Sequence, residues 1–225
     1  MSGRRTDPEA TELELVRELA RAALAALERE RQRIDGLNVY PVPDGDTGRN
    51  LVETMRALVA ELNETEPAPR EELRRSLARA LSMRARGCSG VIVSQIVRGL
   101  VEAVPAEGAI GGRELAAMLE SARDAARAAI ARPAEGTILT LMHELTKEAR
   151  RLRRKPLPLD RRLDALVERG EKALERTREQ NPVLREARVV DAGSAGVLVC
   201  MKAVARTVSG AAPIAERPRL RLVSP

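Results

Sequence analysis

Two carboxylates one residue apart, in Asp44-Gly45-Asp46, are the side chains of this sequence best suited to chemistry. A hard divalent cation takes several oxygens in a near-octahedral shell. Carboxylates at this spacing in a tight turn can converge on one cation or bridge two. Pro41 and Pro43 restrict the backbone ahead of them and lower the entropy cost of arranging like charges. Gly45 and Gly48 let the backbone come close to a ligand. A helix starting at about Gly48 to Asn50 would turn its free N–H groups toward an anion held there. Cation and helix N-terminus together are the equipment for a polyphosphate. The plainer alternative is an Asx-type turn that caps the helix, because Asp-Gly and Thr-Gly pairs are common turn formers. Two more Gly-rich breaks precede apolar helices, RGCSG at 86–90 and DAGSAG at 191–196. Three such N-termini are available to converge on one ligand.

The elements that must position these residues are helical. Thr11-Glu12-Leu13-Glu14 has the form of a capping box. Leu13, Val16, Ala20, Ala23, Leu24 and Leu27 then recur at helical spacing up to a stop at Gly36. Helical patterns follow over about 50–62, 71–83, 91–101, 114–131, 137–153, 160–179 and 197–208, with a short one at 183–187. Pro67, Pro69, Pro156 and Pro158 punctuate the turns between them. No segment carries a convincing strand, so the fold class is all-α with about eight helices. Residues 1–10 are expected to be a flexible arm, 11–208 the domain, and 209–225 an irregular tail.

The 225 residues suit one domain, and 44% hydrophobic content suffices for a core. That core has no Phe, no Trp and a single Tyr, so Leu, Val, Ile, Ala and Met must fill it. The net charge is +6, but 33 acidic residues are interspersed with the basic ones. This balance, without stacking aromatics, argues against a nucleic-acid partner. The densest basic run, RRLRRK at 150–155, is expected to be a solvated helix end, with a patch for an acidic partner as the alternative. Cys88 and Cys200 make no disulfide framework, which fits a reducing cytoplasm. No apolar run of about 18 residues predicts a membrane span, and no apolar signal core opens the chain.

Four segments in order, LNVYPVPDGDTGRNL, ARGCSGVIVSQIVRG, EGTILTLMHE and NPVLREARVVDAGSAGV, resemble the nucleotide-binding L domain of dihydroxyacetone kinases. The match is closest to the branch at the N-terminus of bacterial fatty acid kinase, and it spans roughly residues 10–208. The resemblance implies an eight-helix barrel with the nucleotide site at one end. It implies ATP with two Mg²⁺ ions held by Asp44 and Asp46, with Asn38 as a third ligand. Thr47, Gly48 and Asn50 would lie by the phosphates. Ser89 and Gly90 would form a second phosphate-side loop. Gly136, Thr137, Asp191, Ala192 and Gly193 would surround the nucleotide.

Two positions depart from the family pattern. Cys88 stands where relatives usually carry Asn, and a thiol cannot replace both the donor and the acceptor of an amide. Arg188 stands where relatives usually carry Gly.

Phosphoryl transfer needs positioning and charge neutralisation more than a covalent catalyst. No catalytic residue beyond the metal ligands is therefore assigned. His143 is expected to be a partly exposed or core-edge residue, and a lone His excludes the usual His-rich zinc sites and argues against a His-centred triad. Cys200 is expected in the core, and Tyr40 is expected to pack under the metal turn. In the related kinases a separate subunit or domain holds the acceptor, a fatty-acid-binding protein in the fatty acid branch. The expected activity is transfer of the γ-phosphoryl to a fatty acid or dihydroxyacetone-type acceptor held by such a partner. A homodimer is also compatible with this reading. The alternative is a catalytically weak nucleotide-binding module that serves regulation.

Overall fold

The structure is a computed structural model and describes residues 8–84 and 87–210. Among these residues the chain forms nine α-helices and no strand. They are α1 (Pro8–Gly36), α2 (Thr47–Glu64), α3 (Arg70–Arg84), α4 (Gly87–Glu102), α5 (Gly112–Ala128), α6 (Ile138–Leu152), α7 (Leu159–Gln180), α8 (Pro182–Ala187) and α9 (Ala192–Val208). The eight expected long helices are all present, and the short segment at 183–187 is α8. Each long helix packs on the next in the chain, α7 packs on α9, and α9 returns to α1. The ring is therefore closed, as an eight-helix barrel requires.

Helical spacing of apolar residues supplies the inner face. In α6, Ile138, Leu141, Met142, Leu145, Ala149 and Leu152 fall at steps of three and four, and all are buried. Leu27 and Ile34 of α1, Leu51 of α2 and Leu166 of α7 meet all of these but Leu152 in one core. Each such side chain contributes about 1.5–3 kcal/mol of burial. Ala122, Ala126 and Ala173 are fully enclosed, so small residues let neighbouring helices approach where no aromatic ring fills space.

The chain breaks where backbone chemistry requires. α1 stops at Gly36, and Asn181 closes α7 while its side-chain oxygen accepts from Val183 N (3.0 Å) to cap α8. Pro182 then takes the first position of α8, where the missing N–H costs nothing.

Several boundaries differ from the sequence expectation. α1 begins at Pro8, so the last three residues of the expected arm are helical. α2, α4 and α9 each begin three to five residues early. The Gly-rich stretches read as breaks are in fact first turns. The remainder of the arm, residues 1–7, and residues 211–225 of the tail lie outside the described residues. Ser209 and Gly210 form a turn after α9. No helix among the described residues is long and apolar enough to cross a membrane.

Candidate metal and phosphate site

The loop between α1 and α2 is organised by Asn38, which is 7% exposed. Its Nδ2 donates to Val42 O (2.6 Å) and to Asp44 Oδ1 (3.1 Å). Its Oδ1 accepts from the Thr47 hydroxyl. Asn38 therefore ties the start of the loop to Asp44 and to the first residue of α2. Gly45 sits at φ +66°, a left-handed conformation that favours glycine and turns the chain between the two carboxylates. Asp44 is exposed and Asp46 is half-buried. Tyr40 is half-buried in the same loop, ahead of a cis bond to Pro41.

Asp46 occupies the N-cap position of α2, yet its side chain caps no backbone N–H. Asp35, at the end of α1, does that work instead: its Oδ1 accepts from Arg49 N at 3.1 Å. A helix start normally spends its N-cap carboxylate on this N–H. Here the bond is supplied from the preceding helix, and among the described residues the Asp46 carboxylate pairs only with the exposed Arg49 guanidinium, at 4.0 Å. The capping-turn alternative for Asp44-Gly45-Asp46 is thus not the arrangement found. Sequence reading missed Asp35, because Asp35-Gly36 resembles no more than a helix stop.

The helix N-termini do gather at one end. Thr47 Oγ1 lies 3.3 Å from Ser89 Oγ, linking the starts of α2 and α4. A Cβ built on Gly87 would fall 2.3 Å from Asn50 Nδ2, and one on Gly90 would fall 2.5 Å from Thr54 Oγ1. The start of α9 joins the same group, since Gly196 leaves room for Leu51 of α2. Gly193 faces Ile138, the first residue of α6. Four N-termini are therefore linked in the order α4, α2, α9, α6, one more than expected.

Thr47, Gly48, Asn50, Ser89 and Gly90 form one cluster beside the loop. Gly136, Thr137, Asp191, Ala192 and Gly193 form a second where α6 and α9 begin. Asp191 is 6% exposed, and its Oδ2 accepts from Ser194 N and Ser194 Oγ, both at 2.7 Å. Burial pushes its carboxyl above the ordinary aspartate range, against hydrogen bonds from Ser194 and the Ile138 backbone that pull it down. Its own N–H donates to Thr177 Oγ1 (3.0 Å).

The two departures from the family pattern are also placed. Cys88 is exposed in the first turn of α4. Arg188 ends α8 at φ 56° and ψ 31°, so the left-handed turn is kept without glycine. His143 is exposed on α6. Cys200 packs against the core on α9, where burial pushes its thiol up to about 12.

Residues 41–206 match the DAK2 domain. The chain belongs to the DAK2 domain family. It is 36% identical over 193 residues to Protein YloV of Bacillus subtilis, a match covering 86% of this chain and 35% of the relative. It is 34% identical over 187 residues to an uncharacterized protein of Staphylococcus haemolyticus, covering 83% and 34% of the two chains. This chain thus spans about a third of the length of the curated relatives it matches. The fold is that of one part of the dihydroxyacetone kinase of C. freundii, solved in complex with AMP-PNP and Mg²⁺. That structure matches with a TM-score of 0.62 at 20% identity, over 92% of this chain and 36% of the other.

Proposed function

We propose that this DAK2 domain binds Mg·ATP at the gathered helix N-termini and acts as the nucleotide-binding part of a kinase. The observation that carries the reading is Asp46, an N-cap carboxylate relieved of capping by Asp35. The residues present fit the cation. Mg²⁺ is commonly held by one or two carboxylates with phosphate and water oxygens completing the shell. Asp44 and Asp46 are those two carboxylates, and Asn38 steadies Asp44 through its amide N–H. The Asn38 oxygen already accepts from Thr47, leaving one lone pair for a metal. The two-ion reading divides the same two carboxylates between two metals, and a Mn²⁺ titration counts the ions.

Bound Mg²⁺ would supply neutralisation of the phosphate charge. The chain's own groups do the rest. The N–H groups of Thr47 and Gly48 open α2 and favour negative charge beside the loop. The Ser89 hydroxyl, beside Thr47, offers a donor from α4. Gly136, Thr137, Ala192 and Gly193 border the remaining part of the site, toward the nucleoside. The acceptor, of fatty acid or dihydroxyacetone type, would be held by a partner such as a fatty-acid-binding subunit. The C. freundii kinase fold and its AMP-PNP·Mg²⁺ complex support the nucleotide and the cation.

Asp46→Asn and Asp35→Ala test the division of labour between the two aspartates. The first is expected to abolish Mn²⁺ binding and leave the melting temperature nearly unchanged. The second is expected to lower the melting temperature, because it weakens the cap of α2. The reverse pattern contradicts the proposal.

The exposed Cys88 supports a second reading, a module that binds nucleotide but transfers phosphate weakly. Restoring the amide with Cys88→Asn separates the two. A large gain in phosphoryl transfer at unchanged ATP affinity favours the weak-module reading of the wild type, and no gain favours a competent kinase component.

A further inference from the structure

We propose that the barrel end opposite the metal turn docks an acidic segment of a partner polypeptide, held by Arg113, Arg153 and Arg154. These three arginines line an open cavity of about 400 Å³, together with Ala116, Ala117 and Glu120. Arg113 stands in the first turn of α5, and Arg153 and Arg154 follow the last turn of α6. α6 begins at the phosphate end, so its 15 residues place the cavity about 22 Å away from that site.

The charge in this cavity is not balanced from within. Glu120, the one carboxylate named in its lining, is engaged by Arg150 at 2.5 Å and acts on Arg153 only through space, without an ion-pair contact. The carbonyls that end α6 are not left for the three arginines either. Buried Arg162 donates to Leu152 O, Lys155 O and Leu157 O and so neutralises that end. Arg113, Arg153 and Arg154 make no ion pair among the described residues. Guanidinium forks match carboxylates in bidentate geometry.

The occupant follows from charge and shape. The terminal segments of this chain outside the described residues, 1–7 and 211–225, carry five Arg against one Asp and one Glu, so they do not complement the cavity. A second copy related by a two-fold axis would present the same basic face. A compact phosphate is disfavoured because a carboxylate already stands at the start of α5: Glu114 Oε2 accepts from Gly111 N at 3.0 Å. The floor is the methyl groups of Ala116 and Ala117, which offer no hydrogen bonds. An extended peptide with several carboxylates can instead meet guanidiniums from both helices at once.

The test uses the full chain and a fluorescent hexaglutamate peptide, read by anisotropy at low salt. The Arg113→Gln/Arg153→Gln/Arg154→Gln variant is compared with Arg75→Gln/Arg161→Gln/Arg178→Gln, which has the same net charge change at exposed sites elsewhere. Circular dichroism checks that both variants are folded. The proposal expects binding about tenfold weaker in the first variant, and nearly unchanged in the second. Equal weakening in both, or no binding by the wild type, overturns it. Displacement of the peptide by tripolyphosphate at lower concentrations than by free hexaglutamate also overturns it, assigning the cavity to compact phosphates.

Discussion

At the scale of single residues, two side chains sit where their chemistry is costly. Arg188 is held left-handed, a conformation that costs a residue with a Cβ about 1–2 kcal/mol. Part of that returns as lower backbone entropy in the unfolded chain. Arg188→Gly is therefore expected to stabilise the fold by roughly 1 kcal/mol, measured by urea denaturation. Asp191 is the second case. A carboxyl raised above its ordinary value on folding binds its proton more tightly in the folded chain. Its contribution to stability is then full below the unfolded value of about 3.8 and is lost as pH rises through the folded value. The melting temperature of Asp191→Asn, taken relative to wild type, is expected to rise between pH 3 and pH 7. A flat difference would show that the charge at this position is not coupled to folding. The chain's Asp44-Gly45-Asp46 turn was legible from residue types alone. Its relief from capping was not, because Asp35 acts across fourteen residues through a contact that exists only once α1 and α2 are antiparallel neighbours.

Glycine governs the account at the scale of elements. Its low helix propensity made the stretches at 86–90 and 191–196 look like interruptions. Helix packing overrides that preference, since Gly90 and Gly196 lie inside helices at points where a neighbouring helix comes too close for a Cβ. Periodicity in α6 and α7 placed their apolar faces correctly, because burial there follows from spacing within one helix. Interhelix approach has no such local signature. Gly48 and Gly196 differ in what they face, which yields a contrast. A Cβ at Gly48 would lie 2.4 Å from the backbone oxygen of Arg31, whereas one at Gly196 would meet the far end of the Leu51 side chain at 2.2 Å. Backbone cannot yield as a methyl group can. Gly48→Ala is expected to cost about 2–3 kcal/mol and Gly196→Ala less than about 1, compared by chemical denaturation. Equal losses would mean that the start of α2 is less tightly set against α1 than the contact implies.

For the molecule as a whole, a closed ring of eight helices explains how residues from 38 to 193 reach one end. Alternating helices return the chain there after every pair, so α2, α4, α6 and α9 all begin at the same rim. The order of the four sequence segments already pointed to this barrel, whereas its basic opposite end became visible only once α5 and α6 were packed together. A ligand that binds only the folded barrel must stabilise it by mass action. Mg·ATP at about 100 times its dissociation constant is expected to add about 2.7 kcal/mol, read as an upward shift in thermal denaturation. The shift should vanish when EDTA removes the cation. The most direct measurement is calorimetric titration of ATP into the wild-type chain and into Asp44→Ala/Asp46→Ala, each with and without Mg²⁺. Mg²⁺-dependent binding by the wild type is expected to disappear in the double variant while its fold persists. Binding that survives the loss of both carboxylates, or a folded wild type that takes no Mg·ATP, would contradict the proposed Mg·ATP site.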